Sequence, residues 1–352
     1  MKILVNALSG IGDALMFTPV LSILKKELPD SQIDVLVMFK GVKDLYESLG
    51  EVDNVYHHDM LNSSKFSNLN YIYNLRKNRY DISINVYPSN RKEYNIVNLL
   101  IGAPKRAAVK YNRKDRLNLG FLNNYRIEEN DNLHCVEENI KQIENLLNIK
   151  VEDIPKLNFP LPEEDQDFAV EYSQKMGISN NDFVVGIHAG CSVLKNHINR
   201  RWSPDKFAEL TSVLINKKNA KVLLFGGPDE NELKSEIVAQ VNSSQLINVE
   251  TKNLRQTAAV IKRSDLFVTN DSGLMHIAAA LERKIIPVIG PTNGNYIHPW
   301  KTEYKTASLH LDCSPCFYYS PKPLTCSRKD VQFKCLKELS VEKVLNTIEE
   351  II

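Results

Sequence analysis

Short apolar segments rich in β-forming residues alternate with longer segments of helical period along most of the chain. The strand-like segments are 3–5, 33–37, the region around Val55 and 82–86 in the first half, and 183–187, 222–225, 266–268 and 285–289 in the second. Apolar runs of this length between helices are typical of parallel strands covered by helices on both faces. Two such series predict an α/β chain made of two doubly wound, Rossmann-like domains.

A boundary between the two domains is predicted in the segment 153–164. Pro155, Pro160 and Pro162 interrupt any regular element there. The chain has 352 residues, about twice the length of a typical single domain. We therefore expect domains at 1–160 and 161–338, followed by a segment 339–352 whose helical period would let it pack back on the N-terminal domain.

The overall charge argues against a nucleic-acid-binding protein. The 44 Lys and Arg residues against 43 Asp and Glu residues leave a net charge of only +1, whereas nucleic-acid binding needs a positive excess. No apolar run approaches the roughly 18 residues of a membrane span. The N-terminal segment 1–5 turns polar too soon for a signal peptide, so the sequence predicts a cytoplasmic protein.

Basic residues are nevertheless concentrated in the stretch 91–126. It has only two acidic residues, Glu93 and Asp115, and nine basic ones: Arg91, Lys92, Lys105, Arg106, Lys110, Arg113, Lys114, Arg116 and Arg126. One interpretation is a solvated surface with loops. The other is a docking face for an anionic acceptor or for an anionic membrane surface.

The six cysteines are expected to be reduced thiols or metal ligands in a cytoplasmic protein. Four of them form a C-terminal series, Cys313, Cys316, Cys326 and Cys335. Four thiolates could hold structural zinc or iron. The series lacks a second CxxC pair, so reduced and partly buried thiols remain the alternative. Cys135 and Cys191 have no obvious partners in the sequence.

Ligands of open α/β sheets bind beyond the carboxyl ends of the strands. The first such loop contains Gly10, Gly12 and Asp13, but Leu15 stands where a dinucleotide fingerprint needs its third glycine. No acidic residue follows the second strand to hold a ribose. Nicotinamide binding is therefore disfavoured. What remains is a tight glycine turn with a carboxylate, and Asp13 either caps the helix or has a chemical role.

Two further loops combine small residues with charge. After the strand 183–187, the segment 188–192 would let backbone amides approach an anion, with Arg200 or Arg201 adding charge. A surface loop in which Trp202 anchors the next helix is the alternative. After the strand 222–225, a glycine turn precedes Glu230 and Glu232, either of which could accept hydrogen bonds from a ribose or a base. A plain turn with helix-capping acids fits equally well.

The most specific loop is the segment 270–276, Asn-Asp-Ser-Gly-Leu-Met-His. Asp271 follows a buried strand, Ser272 can cap the helix, and Gly273 leaves the first amides open. Unpaired N–H groups and the helix dipole both favour negative charge, which suits a diphosphate. Ser272 and His276 lie four residues apart on one helical face. Taken alone, His276 could simply face the core.

On these motifs the chain resembles glycosyltransferase family 9, the ADP-heptose:lipopolysaccharide heptosyltransferases, over nearly its whole length. The matching segments are 9–13 with Pro19, 188–204, 226–228, 270–276 and 289–292. The resemblance implies a GT-B architecture, in which two Rossmann-like domains face each other across a cleft. It also implies that 1–160 is the acceptor-binding domain and that 161–338 binds the nucleotide sugar.

The loops and the resemblance together predict a set of site residues. By resemblance Asp13 is the general base, and Arg200 stands where the family usually has a lysine near the donor phosphates. The predicted donor-binding residues are Gly190, Arg200, Glu230, Asp271, Ser272, Gly273, Leu274 and His276. The predicted acceptor-binding residues are Gly12, Arg113 and Arg116.

The implied function is the inverting transfer of heptose from ADP-heptose to a hydroxyl of a lipopolysaccharide inner-core acceptor, with no cofactor and no catalytic metal. The partners would be the donor and a lipid-linked anionic oligosaccharide, with room for peripheral contact at the inner face of the inner membrane. The alternatives are a GT-B transferase using another nucleotide sugar or a protein acceptor, and a non-catalytic nucleotide-sugar-binding protein. The presence of Asp13 argues against the last of these.

Overall fold

A computed structural model describes residues 1–192, 194–318 and 323–352. These residues divide into two compact units, Met1–Pro160 and Leu161–Tyr318 together with 323–352. Each unit is an α/β domain built on a parallel sheet, which confirms the predicted fold class. Across these ranges we find no helix with the length and apolarity that a membrane crossing requires.

The sheet of the first unit has six parallel strands within residues 1–160, in the order β3-β2-β1-β4-β5-β6. Their bounds are β1 Lys2–Ala7, β2 Gln32–Val37, β3 Asn54–His57, β4 Ile82–Asn85, β5 Lys105–Lys110 and β6 Tyr125–Glu128. The strand order reverses between β1 and β4, and such a switch point is where open α/β sheets bind ligands. The loops after these two strands lie side by side, because the Ser9 hydroxyl donates to the carbonyl of Pro88 at 3.0 Å.

Helices cover both faces of this sheet. They are α1 Ile11–Met16, α2 Thr18–Glu27, α3 Lys40–Glu47, α4 Lys65–Arg76, α5 Lys92–Ile101 and α6 Cys135–Leu147, with a 3₁₀ helix at Gly120–Leu122. Helices α1 and α2 follow each other directly and are divided at Phe17. Pro19 explains the division, because its ring would clash with the carbonyl four residues earlier in a continuous helix.

The described residues of the second unit form a five-stranded parallel sheet in the order β11-β10-β7-β8-β9. Its strands are β7 Val184–His188, β8 Lys221–Phe225, β9 Leu246–Asn248, β10 Leu266–Asn270 and β11 Lys284–Val288. Since β10 lies between β7 and β11, the loops that follow these three strands meet at one edge of the sheet. The loops after β7 and β10 are two of those that the sequence identified as candidate ligand-binding loops.

The helices of the second unit begin after the proline-rich segment. In the described ranges they are α7 Glu163–Lys175, α8 Pro204–Lys218, α9 Asn231–Val241, α10 Leu254–Ile261, α11 Gly273–Ala280, α12 Gly294–Ile297, α13 Lys334–Lys337 and α14 Val341–Glu349. Helices α8 and α9 end at Asn219 and Asn242 with positive φ, a conformation that asparagine tolerates. Val344 and Ile348 of α14 lie in the core of the second unit. The sequence allowed this last helix to pack on the N-terminal domain, and its described core contacts are within the second unit.

A buried carboxyl group lies in the first unit. Glu138 on α6 is 0% exposed, and its Oε1 accepts a hydrogen bond from the backbone N–H of Asn130 at 2.5 Å. Burial is the main cause that raises the pKa of Glu138 to about 7; the Asn130 hydrogen bond opposes it and the nearby charge of Glu129 adds to it. The neutral form of Glu138 is therefore the form that favours folding.

This raised pKa predicts a pH-dependent stability. The contribution of neutral Glu138 is complete below about pH 4.5 and is lost as the pH rises through about 7. Glu138→Gln should therefore be more stable than the wild type at pH 8, by on the order of 3 kcal/mol, and the difference should fall below about 1 kcal/mol near pH 5. Urea unfolding at both pH values measures it, with the exposed Glu152→Gln as control. Identical pH dependence in wild type and Glu138→Gln would contradict the prediction.

Candidate functional site

The carboxylate of Asp271 is the centre of the site at the carboxyl edge of the second sheet. It follows β10 directly, and its Oδ2 accepts hydrogen bonds from Nη1 of Arg200 at 2.5 Å and from the hydroxyl of Thr292 at 2.8 Å. Asp271 is 6% exposed and Arg200 is 9% exposed. Arg200 ends a 3₁₀ segment after β7, and Thr292 follows β11. Three loops are thus joined by one charge-assisted cluster.

Asn270 fixes the backbone around this cluster. Its side-chain oxygen accepts from the backbone N–H of Trp202 at 2.9 Å, and its amide donates to the carbonyl of Ala189 at 2.7 Å. Trp202 is fully buried, and its indole N–H donates to the carbonyl of Leu339 at 2.9 Å. The anchoring role that the sequence offered for Trp202 is therefore present, beside an arginine that reaches Asp271.

Ser272 occupies the N-cap position of α11, but its side chain does not cap the helix. Its hydroxyl instead lies 2.9 Å from Nδ1 of His188 and 3.1 Å from the hydroxyl of Thr269. The expectation that Ser272 caps the helix is wrong for this reason. The first-turn amides of α11, from Gly273 onward, lack partners within the helix and are not covered by this side chain.

His276 lies one turn into α11 and is 3% exposed. Within the part of the chain that the structure describes, its Nδ1 has no hydrogen-bond partner. Burial lowers the pKa of His276 to about 4, although the charge of Asp271 opposes this. The imidazole is therefore neutral at pH 7, and its buried nitrogen is available to a ligand group.

Glu230 is held by its own loop and by residues at the end of β7 and in the loop that follows it. Its Oε2 lies 3.0 Å from Nε2 of His188 and accepts from the backbone N–H of Gly227 at 3.0 Å, while Oε1 lies 3.5 Å from Arg201. Burial would raise the pKa of Glu230, but the His188 hydrogen bond and charge, with the Gly227 hydrogen bond, outweigh it and lower the pKa. The sequence left open whether Arg200 or Arg201 supplies the charge. The two have separate partners, Asp271 for Arg200 and Glu230 for Arg201.

In the first unit, Asp13 lies in the first turn of α1, next to Gly12. Two buried phenols flank this turn: the Tyr46 hydroxyl donates to the carbonyl of Ala14 at 3.0 Å, and the Tyr94 hydroxyl donates to that of Leu8 at 2.8 Å. Burial raises the pKa of both tyrosines, and the charge of Asp13 adds to the effect. Asp13 is thus a partly exposed carboxylate at the carboxyl edge of its sheet, beside the switch point.

The basic stretch of the first unit is partly neutralised by its own fold. Ion pairs join Lys110 to Glu128 at 2.5 Å, Arg126 to Asp115 at 2.5 Å and Arg113 to Asp131 at 3.1 Å. Of the two predicted acceptor-binding arginines, Arg113 therefore shares its charge with a carboxylate, and Arg116 is exposed.

The four C-terminal cysteines have free thiols. The Cys326 sulfur accepts from the backbone N–H of Phe333 at 3.3 Å, and Nη1 of Arg328 lies 3.6 Å from the Cys313 sulfur. Burial and the neighbouring thiols raise the pKa of Cys335 to about 11. Among the residues that the structure describes, no group of three or more His, Cys, Asp or Glu side chains is arranged to hold a metal ion.

Each of the two units is a doubly wound parallel-sheet domain with polar loops at the carboxyl edge of its sheet, the domain type of the GT-B fold. The family model described as glycosyltransferase family 9 (heptosyltransferase) matches residues 69–324. The chain belongs to this family and is a glycosyltransferase.

Individual relatives agree with this assignment. The chain is 28% identical to lipooligosaccharide heptosyltransferase 2 of Campylobacter jejuni, over 100% of this chain and 99% of that protein. It is 27% identical to lipopolysaccharide heptosyltransferase 2 of Salmonella typhimurium, over 85% of each. The solved structure of E. coli ADP-heptose lps heptosyltransferase II has the same fold, with a TM-score of 0.74 at 22% identity over 100% of this chain and 98% of that one.

The close approach of Gly190 and Glu230 gives a structural prediction. A Cβ atom at Gly190 would overlap the Glu230 carboxylate, whereas a Cβ at Gly227 would meet open space. Gly190→Ala should therefore lower the free energy of unfolding by about 1–3 kcal/mol, and Gly227→Ala should leave it nearly unchanged. Denaturant unfolding measures both. In the double variant Gly190→Ala/Glu230→Ala, the cost of the alanine at 190 should largely disappear; if it does not, overlap with Glu230 is not its cause.

Proposed function

We propose that this glycosyltransferase moves heptose from ADP-heptose to a hydroxyl of a lipopolysaccharide inner-core acceptor, with inversion at the anomeric carbon. The observation that carries the donor half of the proposal is the buried cluster of Asp271, Arg200 and Thr292 at the uncapped start of α11. The names of the relatives support the sugar and the acceptor class, since they are lipooligosaccharide and lipopolysaccharide heptosyltransferases.

The donor would bind entirely to residues of the second unit. The diphosphate would lie at the N-terminus of α11, on the amides of Gly273 and Leu274, because open amides and the helix dipole favour negative charge there. The neutral imidazole of His276 would hydrogen-bond a nearby donor group. Oδ2 of Asp271 is taken by two donors, so its other oxygen would accept from a heptose hydroxyl.

The nucleoside would lie at the loops that contain Gly190 and Glu230. Glu230 is ionised, and a carboxylate accepts hydrogen bonds well from the hydroxyl groups of a ribose. Its position is set by His188, which also contacts Ser272 on the diphosphate side. Nucleoside and diphosphate recognition would therefore be joined by one hydrogen-bonded chain from Glu230 to Ser272.

Asp13 would act as the general base. Its carboxylate takes the proton of the acceptor hydroxyl while that oxygen attacks the anomeric carbon, and the bond from this carbon to the ADP oxygen breaks on the opposite face. The charge that develops on ADP would be stabilised by the start of α11 and by Arg200. In this proposal protein groups supply the positive charge, with no cofactor. Gly12 would leave room for the acceptor, and Arg113 and Arg116 would face its anionic groups, at the cytoplasmic side of the inner membrane.

The proposed base gives a direct test. Asp13→Asn should lower the rate of heptose transfer from ADP-heptose by roughly 10²–10⁴-fold, because the amide cannot take the proton. ADP binding, measured by calorimetry, should be unchanged, since the proposed ADP contacts are in the second unit. The exposed Asp30→Asn is the matched control. Wild-type turnover by Asp13→Asn would remove Asp13 from the mechanism, and absence of transfer by the wild type would overturn the proposed reaction.

The role of Asp271 toward the sugar can be tested through Thr292. Thr292→Val removes one donor to Asp271 at nearly constant volume, so the carboxylate should be held less firmly. We expect the affinity for ADP-heptose to fall by about tenfold, the size of one lost hydrogen bond to a charged group, with little change for ADP. Thr302→Val, which removes a hydroxyl that donates to the carbonyl of Arg283, is the control. Equal loss for both ligands would place Asp271 at the nucleotide instead of the heptose.

A further inference from the structure

Exposed apolar side chains are concentrated on one helical layer of the first unit. Among the described residues, eight of the thirteen exposed large apolar side chains lie between positions 61 and 121. They are Leu61, Phe66, Leu69, Tyr73, Ile96, Leu99, Leu117 and Phe121. Single exposed apolar residues are ordinary on a soluble protein, but a grouped set marks an interaction surface.

These residues share one outer surface because their helices share one core. Ile72 and Leu75 of α4 pack in the same apolar cluster as Tyr94 and Val97 of α5, so both helices lie on the same face of the sheet. Helix α5 also contacts the 3₁₀ helix Gly120–Leu122. The sides of these helices that point away from the sheet therefore form one outer surface.

The most exposed part of this surface is a stripe along α4. Phe66, Leu69 and Tyr73 are 81%, 54% and 62% exposed, and their spacing of three and four residues places them on one side of the helix. Ile72 and Leu75 point to the core from the other side. We call Phe66, Leu69 and Tyr73 the α4 stripe. Its side chains protrude from the domain, because they pack against little of it.

Cations border the α4 stripe, and the chain segment that carries them contains no acids. Lys65, Arg76, Lys77 and Arg79 are exposed, and the sequence has no Asp or Glu from position 60 to position 80. The ammonium group of Lys77 lies 5.1 Å from the centre of the Tyr73 ring, so positive charge is held directly beside the apolar side chains. In contrast to the stretch 91–126, this segment contains no carboxylate of its own to neutralise it.

From this combination we propose that the α4 stripe and its bordering cations dock the protein on an anionic phospholipid membrane. Phe66 and Leu69 would enter the boundary between headgroups and acyl chains, where the amphipathic ring of Tyr73 is also favoured. The cations would lie at the anionic headgroups, with their aliphatic stems along the apolar region. A second copy of the chain is a poorer occupant, because a two-fold contact would place these cations against themselves.

The proposal extends the proposed function, since an acceptor linked to lipid is presented at a membrane surface. Vesicle binding does not depend on transfer, so the two can fail separately. The full chain should sediment with vesicles of phosphatidylglycerol and phosphatidylcholine, and weakly or not at all with phosphatidylcholine alone. Added salt should weaken the binding, because the lipid charge is screened.

The variant Phe66→Ser/Leu69→Ser/Tyr73→Ser should lower the partition coefficient onto anionic vesicles by at least about tenfold, since three exposed side chains lose apolar area. Val170→Ser is the matched control, because Val170 is 46% exposed on α7 of the second unit. Lys65→Glu/Lys77→Glu should also lower binding and reduce its dependence on salt. Unfolding curves check that each variant is folded.

Three results would overturn the membrane assignment. The first is wild-type protein that does not bind anionic vesicles, and the second is a triple serine variant that binds them as tightly as the wild type. The third is self-association, seen by sedimentation velocity, that the triple variant abolishes while vesicle binding stays the same. In that case the α4 stripe would be a contact between copies of the chain.

Discussion

The carboxylate of Asp271 is buried, and a buried charge is stable only when it is paired and hydrogen-bonded. This requirement organises the candidate site of the second unit. Arg200 and Thr292 must both reach one oxygen of Asp271, which fixes the loops after β7 and β11 to the end of β10. Asn270 then ties the loop after β7 through the backbone of Ala189 and of Trp202. The loop conformations that a donor would meet are therefore consequences of satisfying one buried charge.

The uncapped start of α11 follows from the same network. Ser272 is the residue type that usually caps a helix, yet its hydroxyl is engaged by His188 and Thr269. His188 in turn holds Glu230. Through His188, Ser272 therefore links the start of α11 to the carboxylate of Glu230 on another loop, and it does not cap the helix. An anion bound at this helix end, as proposed for the donor diphosphate, would satisfy the same amides.

The apolar segments were sufficient to predict the two parallel-sheet domains, but strands β5, β6 and β9 were not predicted. Strand β5 contains only three buried residues between lysines and an arginine, and β9 has only three residues in all, so neither gives a clear apolar run. The loops of the site were found because the carboxyl ends of parallel strands share an edge. The contacts of Glu230 with His188 and of Asp271 with Thr292 were not predicted. They depend on strand order and on side-chain directions, which sequence spacing does not contain. Of the predicted roles, the capping by Ser272 failed for that reason.

Runs of charged residues also show that sequence spacing does not reveal the partners and directions of side chains. In the stretch 91–126, Lys110, Arg113 and Arg126 have carboxylate partners. The partners of Lys110 and Arg113 are Glu128 and Asp131, which lie beyond the stretch. The run around α4 is shorter, and in a sequence phenylalanine, leucine and tyrosine at helical spacing ordinarily predict a buried face. Only the structure shows that this face is directed outward, with Ile72 and Leu75 supplying the core contacts instead. Which side of the helix meets the sheet therefore decides which cations can reach an external anion. For membrane docking, the cations that matter are those beside exposed apolar side chains.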